Sequence, residues 1–238
     1  MASFIIYEGP SLYDGKPIVV IFQDSSGNKK TGNMCQTWIL RADIDPISAS
    51  RIGEDKSICG DCPHMGIPNH DKEKGWADNR SCYVNLLFAP NGVFKAYRRG
   101  AYEAVQGHAG IASLGRGKVV RIGSYGDPAA VPGYVWDSLL SESKAHTAYT
   151  HGKENPDPAR IMTSADSLNQ ARQAWTRGER TFRVIRDISE RDVSEILCPA
   201  SKEAGFKSTC AKCKLCGGAS IRGKSVAIVD HGPQRKRA

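Results

Sequence analysis

Seven of the eight cysteines fall into two groups, and their spacing constrains this chain more than any other feature. The first group is Cys59-Gly60-Asp61-Cys62-Pro63-His64, followed at a distance by Ser81-Cys82-Tyr83. The second is Cys198-Pro199, then Cys210, Cys213 and Cys216 in consecutive Cys-x-x-Cys steps, closed by Gly217-Gly218. A Cys-x-x-Cys turn aims two thiolates at one metal while its backbone N–H groups donate to the sulfurs. The N-terminus has an apolar run but no basic region and no small-residue cleavage site, and nowhere does an apolar stretch of membrane-spanning length occur. The chain therefore reads as cytoplasmic, where such spacing means metal or redox chemistry rather than disulfides. Cys35 stands alone and reads as a small buried hydrophobe.

Two metals fit the pattern. The run Cys210-x-x-Cys213-x-x-Cys216 with a remote Cys198-Pro199 has the ligand spacing of iron-sulfur ferredoxins, although there the Cys-Pro follows the run. A cubane 4Fe-4S cluster held by only Cys59, Cys62 and Cys82 would leave one iron open to a substrate or cofactor. Zinc is the alternative: four cysteines before Gly-Gly make a knuckle, and His64 or His70 would complete a zinc site with Cys59, Cys62 and Cys82. A cysteine hydrolase using Cys82 or Cys198 with His151 ranks last, for want of a local nucleophile signature.

The rest of the chain alternates strands and helices. Ser3 to Gln23 reads as a hairpin turning at Asp14-Gly15, and Trp38–Leu40 as a strand. Between Arg41 and Arg80 no period is sustained, which reads as a long loop folded around something. Ala89-Pro90-Asn91-Gly92 reads as a turn, and Ala101, Val105, His108 and Ala112 as one helical face. From Val119 onward come strands at Val119–Tyr125, Thr147–His151, Arg160–Ser164, Thr181–Arg186, Glu195–Leu197 and Ser225–Val229. Helices carry Val131, Val135 and Leu139, and then Leu168, Ala171 and Ala174, the second stopping at Gly178. This alternation argues for an α/β fold with a mainly parallel sheet or a β/α barrel. The division expected is an α/β body over 1–197, a cysteine-rich metal-binding segment over 198–224, and a last strand with a basic tail over 225–238.

In parallel α/β folds the carboxyl ends of the strands form the site. Ser124, Asp127, Thr150, His151, Ser164, Asp166, Asp187, Cys198, Asp230 and His231 all stand at strand ends. Asp127, Ser164 and Asp166 serve equally well as helix caps, whereas His151 and Asp230 have no such ready explanation.

The Cys59/Cys62 and Cys82-Tyr83 elements, the strand end Gly123-Ser124-Tyr125-Gly126-Asp127, the segment Tyr149-Thr150-His151 and the Cys198, Cys210, Cys213 and Cys216 set together resemble uncharacterised phage and prophage proteins related to the radical S-adenosylmethionine fold. The resemblance runs from about Ile58 to Gly218 and implies a partial β/α barrel, radical SAM-like, with a cluster near its mouth and S-adenosylmethionine as a cofactor. In the radical enzymes the three cysteines share one short loop, whereas here Cys82 lies far from Cys62, and no Gly-Gly-Glu segment is present to hold the cofactor's amino group; Gly126-Asp127 is its substitute. On that pattern Asp127 and His151 are the catalytic residues, and Ser124, Gly126 and Ser164 bind cofactor. The net charge of +8, with Gln234-Arg235-Lys236-Arg237-Ala238 at the end, points to a nucleotide or nucleic acid as partner, in the host cytoplasm for a phage protein. Without catalysis, the same charge on a zinc-stabilised scaffold would serve to bind nucleic acid or a host protein.

Overall fold

A computed structural model describes residues 2–71, 73 and 75–230. The chain is an α/β protein of two sheets, and no helix among the described residues is long and apolar enough to cross a membrane. The strands are β1 (Ser3–Pro10), β2 (Pro17–Gln23), β3 (Cys35–Arg41), β4 (Glu103–Ala104), β5 (Val119–Tyr125), β6 (Ala145–Thr147), β7 (Tyr149–Thr150), β8 (Met162–Ala165), β9 (Thr181–Ile185), β10 (Glu195–Leu197) and β11 (Ser225–Val229).

The first sheet has the order β4-β1-β2-β3-β5-β6 and is mixed; β1, β2 and β3 form an antiparallel meander, and β5 joins β3 in parallel. The second, β10-β11-β9-β8-β7, is parallel throughout. The two are joined where β6 runs into β7: the strand expected over 147–151 breaks at Ala148, whose N–H goes to Cys216 O and whose carbonyl takes the Met162 N–H. From β3 to β10 the strands run in one direction, so their carboxyl ends share an edge. Among the described residues β4 and β10 remain edge strands and are not paired with each other, so no closed barrel forms.

β2 is the apolar run Ile18-Val19-Val20-Ile21-Phe22, fully buried because neighbours cover both its faces and both its edges. β11 is likewise a buried apolar run, and it lies between β9 and β10 although it follows both in sequence. On the second sheet alternation sorts the side chains. Ala165, Ile185, Ala227 and Val229 point to one face, on the side of the helix Leu168–Thr176 with its buried Ala171 and Ala174. Met162, Phe182, Val226 and Ile228 point to the other and pack against Cys198, Ala200, Cys210 and Cys216. The cysteine segment thus covers the second face of the sheet, where a layer of helices stands in doubly wound folds.

Three readings of the first half are corrected. The stretch after Arg41 is not unbroken loop: helices span Pro46–Ile52 and Lys56–Cys59, the first capped by the Asp45 carboxylate and stopped by Gly53 at φ 78°. Ala89-Pro90-Asn91-Gly92 is no turn but the start of the helix Ala89–Arg98, with proline in the first turn, where its missing N–H costs nothing. The helical spacing from Ala101 is interrupted, because Val105 N–H bonds Ile5 O beside β4, and the helix begins only at His108. Cys35 is buried as expected, its thiol 3.1 Å from Asp24 O.

Candidate metal centre

The carboxyl edge of the parallel strands gathers the first cysteine group with the residues expected there. Cys59 ends the second of the two helices after β3, and its carbonyl takes the Cys62 N–H. A short helical turn, Pro63–Met65, then presents His64, whose carbonyl takes the Cys82 N–H at 3.0 Å; this bond brings the distant Cys82 back to the Cys-x-x-Cys loop. Arg80, buried, reaches Cys82 O and Val84 O and holds that return in place. Asp127 follows β5; its N–H goes to Ile58 O, and its carboxylate accepts from Ala129 N and His151 N. Asp127 is therefore both a cap and a tie between the first cysteine loop and the end of β7.

The environment of these thiols is unusual. Burial pushes the Cys59 thiol well up, and nearby Asp55, Cys62, Cys82 and Asp127 add to the shift. Burial also raises Cys82, against the pull of Arg80 and of the Val84 N–H on its sulfur. Buried Tyr125 faces Cys59, Asp55 and Cys82, and its hydroxyl has no hydrogen-bond partner among the described residues; Tyr13 Oη is likewise buried without a bond of normal geometry among them. Burial thus favours the neutral thiols, and a bound cation would favour the thiolate form that metal ligation requires.

Asp55 is 2% exposed, and burial raises its pKa to about 6 from 3.8 despite Arg80. A carboxylate with a raised folded-state value costs stability once it ionises, so the cost is absent below about pH 4 and complete above about pH 6. In the metal-free protein, Asp55→Asn is expected to raise unfolding free energy at pH 8 by about 3 kcal/mol and to change it little at pH 4. Urea titrations at both pH values check this, and an equal effect at both would rule the argument out.

The second group is held differently. Cys210–Cys213 form one helical turn that ends at Lys214 in the left-handed region, and the Cys210 and Ala211 N–H groups bond Lys30 O and Thr31 O. Cys216 is raised to about 12 chiefly by burial; nearby Tyr149 opposes the shift, and Cys198, Cys210 and Cys213 add to it. The Ala200 N–H donates to Cys198. Lys30 and Arg121 lie near Cys210, and buried Arg180 near Cys213 and Cys216. Arg180 donates to Leu215 O, Gly218 O and Lys224 O, clamping both ends of the loop. Gly218 has φ 80°, and a Cβ there would stand 2.4 Å from Ala159 O. Cations surround these four cysteines, as an anionic ligand set would need, but among the described residues no three of their sulfurs lie within 4.8 Å of one another.

Other expected residues are placed as follows. Ser124 is buried and donates to Gln36 Oε1; Gly126, at φ 82°, is pressed against Ile39, which a Cβ would meet at 2.6 Å. Ser164 shares the face of Met162, beside Phe182 on β9. His70 is exposed; His231 and the basic tail lie outside the described residues. A cleft of about 320 Å³ lined by Leu140, Ala145, His146, Arg160 and Ile221 opens at the start of β6, the opposite end of the strands, and gathers no ligand set.

Sequence reasoning missed one association. His64 Nε2 lies 2.9 Å from Asp166 Oδ1, and His151 Nε2 lies 3.7 Å from the same oxygen. Among the described residues, these are the three metal-ligating side chains whose donor atoms all lie within 4.8 Å of one another. Burial works against the charge of His151, yet the neighbouring Asp166 and Cys62 raise it to about 10, and Asp166 is held well below its ordinary value by both imidazoles. His64, beside a Cys-x-x-Cys, and Asp166, at a strand end, were the available signals. No family model, no curated protein and no solved structure matches the chain.

Proposed function

We propose that this is an iron-sulfur protein with two cysteine-held centres, and that the one at the strand ends is the working site. Cys59, Cys62 and Cys82 would hold an open cluster; Cys198, Cys210, Cys213 and Cys216 would hold a closed one with a structural or electron-carrying role. The observation that carries the reading is the return of Cys82 to the Cys59 loop through His64 O, at the shared carboxyl edge of the parallel strands. A cluster there would supply one-electron chemistry. Around it the chain's own groups have definable tasks. Asp127 fixes the end of β7, Tyr125 offers an unengaged hydroxyl beside Cys59, and Arg80 balances negative charge.

On this reading the run from β3 to β10 is the open part of a β/α barrel, as the radical S-adenosylmethionine resemblance implies, and a nucleotide or nucleic acid is the substrate class drawn by the basic surface. Zinc is the second reading, favoured by the one-turn Cys210–Cys213 knuckle and its αL cap at Lys214. Anaerobic purification with a visible spectrum and counts of iron, sulfide and zinc separates the two. Iron and sulfide in equal number with a broad absorption near 400 nm is the expected result; a colourless protein containing zinc alone would sink the cluster.

A further inference from the structure

The strand-end face carries a second set of donors that uses no sulfur. His64 comes from the turn after Cys62, His151 from the end of β7, and Asp166 from the end of β8, so three separate segments converge on one point. Donors about 2.1 Å from a tetrahedral metal stand about 3.4 Å apart, and somewhat closer when the geometry is octahedral. The observed separations from Asp166 Oδ1, 2.9 Å to His64 and 3.7 Å to His151, bracket that value.

The His64 imidazole is oriented from behind, and the backbone of His151 is pinned. His64 Nδ1 is 2.8 Å from Ser81 Oγ, which leaves Nε2 directed at Asp166, and the two rings meet edge to face at 5.4 Å. The His151 backbone N–H is held at 2.8 Å by the Asp127 carboxylate. Outer partners of this kind are what fix ligand direction in metal sites. The side chains keep 31%, 26% and 31% of their surface exposed, so a bound ion would retain a position open to water.

We propose that His64, His151 and Asp166 form a mononuclear site for a divalent transition metal, zinc or ferrous iron by donor chemistry, with an exchangeable water. Two imidazoles and one carboxylate with an open position are the donor set of metal-activated water or of non-haem iron. The site goes beyond the cysteine centres and uses none of their sulfurs, although His64 is also a fourth ligand that the zinc reading offers the first centre. It lies beside the first, since His151 also neighbours Cys62.

The test is metal stoichiometry on the full chain, parent against Asp166→Asn and His64→Ala, with iron, sulfide and zinc counted together and Co(II) binding followed by absorption. Each variant is expected to lose one divalent equivalent with sulfide and thiolate-to-cobalt absorption unchanged, and its Co(II) affinity at that site should fall at least tenfold. Unchanged stoichiometry in both variants overturns the proposal; so does a parallel loss of sulfide or thiolate bands, which would make His64 part of the cysteine centre. Asp166→Asn preserves shape and a carbonyl acceptor at an exposed position, so its folding, checked by circular dichroism, keeps the result readable. A protein with no iron would defeat the cluster reading but leave this one standing, because its signal is the equivalent lost on altering Asp166.

Discussion

On the proposed two-centre reading, replacing Cys213 by Ser is expected to release the metal of the second centre, lower stability by several kcal/mol and leave the first centre's absorption in place, whereas Cys59→Ser should release the metal of the first and leave the second. The asymmetry follows from what each group holds together. The segment Pro199–Lys224 is the cover over Met162, Phe182, Val226 and Ile228, and apart from the short turn Cys210–Cys213 it has little regular structure of its own. Its order depends on the bond from Ala148 to Cys216 and the clamp by Arg180, and on the proposed reading a metal would draw its four sulfurs together. Unlinked, such a segment opens readily, because a knuckle without metal loses the free energy that closes it. Cys59, by contrast, sits against a body already packed through Ile58, Tyr125 and Leu86. Metal counts, spectra and limited proteolysis of the 199–224 region check the prediction. Loss of both metals from either variant would show a single shared centre and end the division into two.

Glu195→Ala is expected to cost about 3–5 kcal/mol, the penalty for leaving a buried charge without its partner. Glu195 is 0% exposed and Arg183 is 4% exposed. The guanidinium meets the carboxylate through two nitrogens, at 2.9 Å and 2.6 Å, and a further bond comes from Asp192 N. The pair bridges β9 to β10 across the intervening β11, so it also fixes the edge strand that ends at Cys198. Chemical denaturation measures the loss. The double change Arg183→Met with Glu195→Leu should recover most of it, since a packed apolar pair removes both charges; a double variant as unstable as the single one would refute that account.

Much of the second half could be read from the chain because β5, β9 and β11 are largely apolar segments of five to seven residues and because helices follow β5 and β8. The two cysteine groups were legible for a local reason, spacing. What escaped was decided by capping and by distance in space. Asp45-Pro46 with Gly53 is a complete helix signature, hidden by the polar composition around it. Pro90 was read with Asn91-Gly92 as a turn, although the apolar Val93 and Phe94 behind it become the buried side of a helix. Asp166 was a plausible cap, yet Ser167 caps the following helix and frees the carboxylate for two histidines. Nothing in the spacing of His64, His151 and Asp166 announces their meeting, since it arises from the order of the strands.

The place of β11 has a consequence for how the molecule assembles. A strand that enters between two earlier ones leaves the earlier edge strand waiting, and β10 has no partner in the sheet until β11 arrives. Between them in sequence lies the cysteine segment, which must loop out and return. A metal joining Cys198, at the end of β10, to Cys216, shortly before β11, would shorten that excursion and lower the entropic cost of closing it. Metal supply would then govern the rate at which the sheet closes as well as the stability of the finished protein, and chains starved of metal would accumulate with an unpaired strand, the form most prone to join its neighbours.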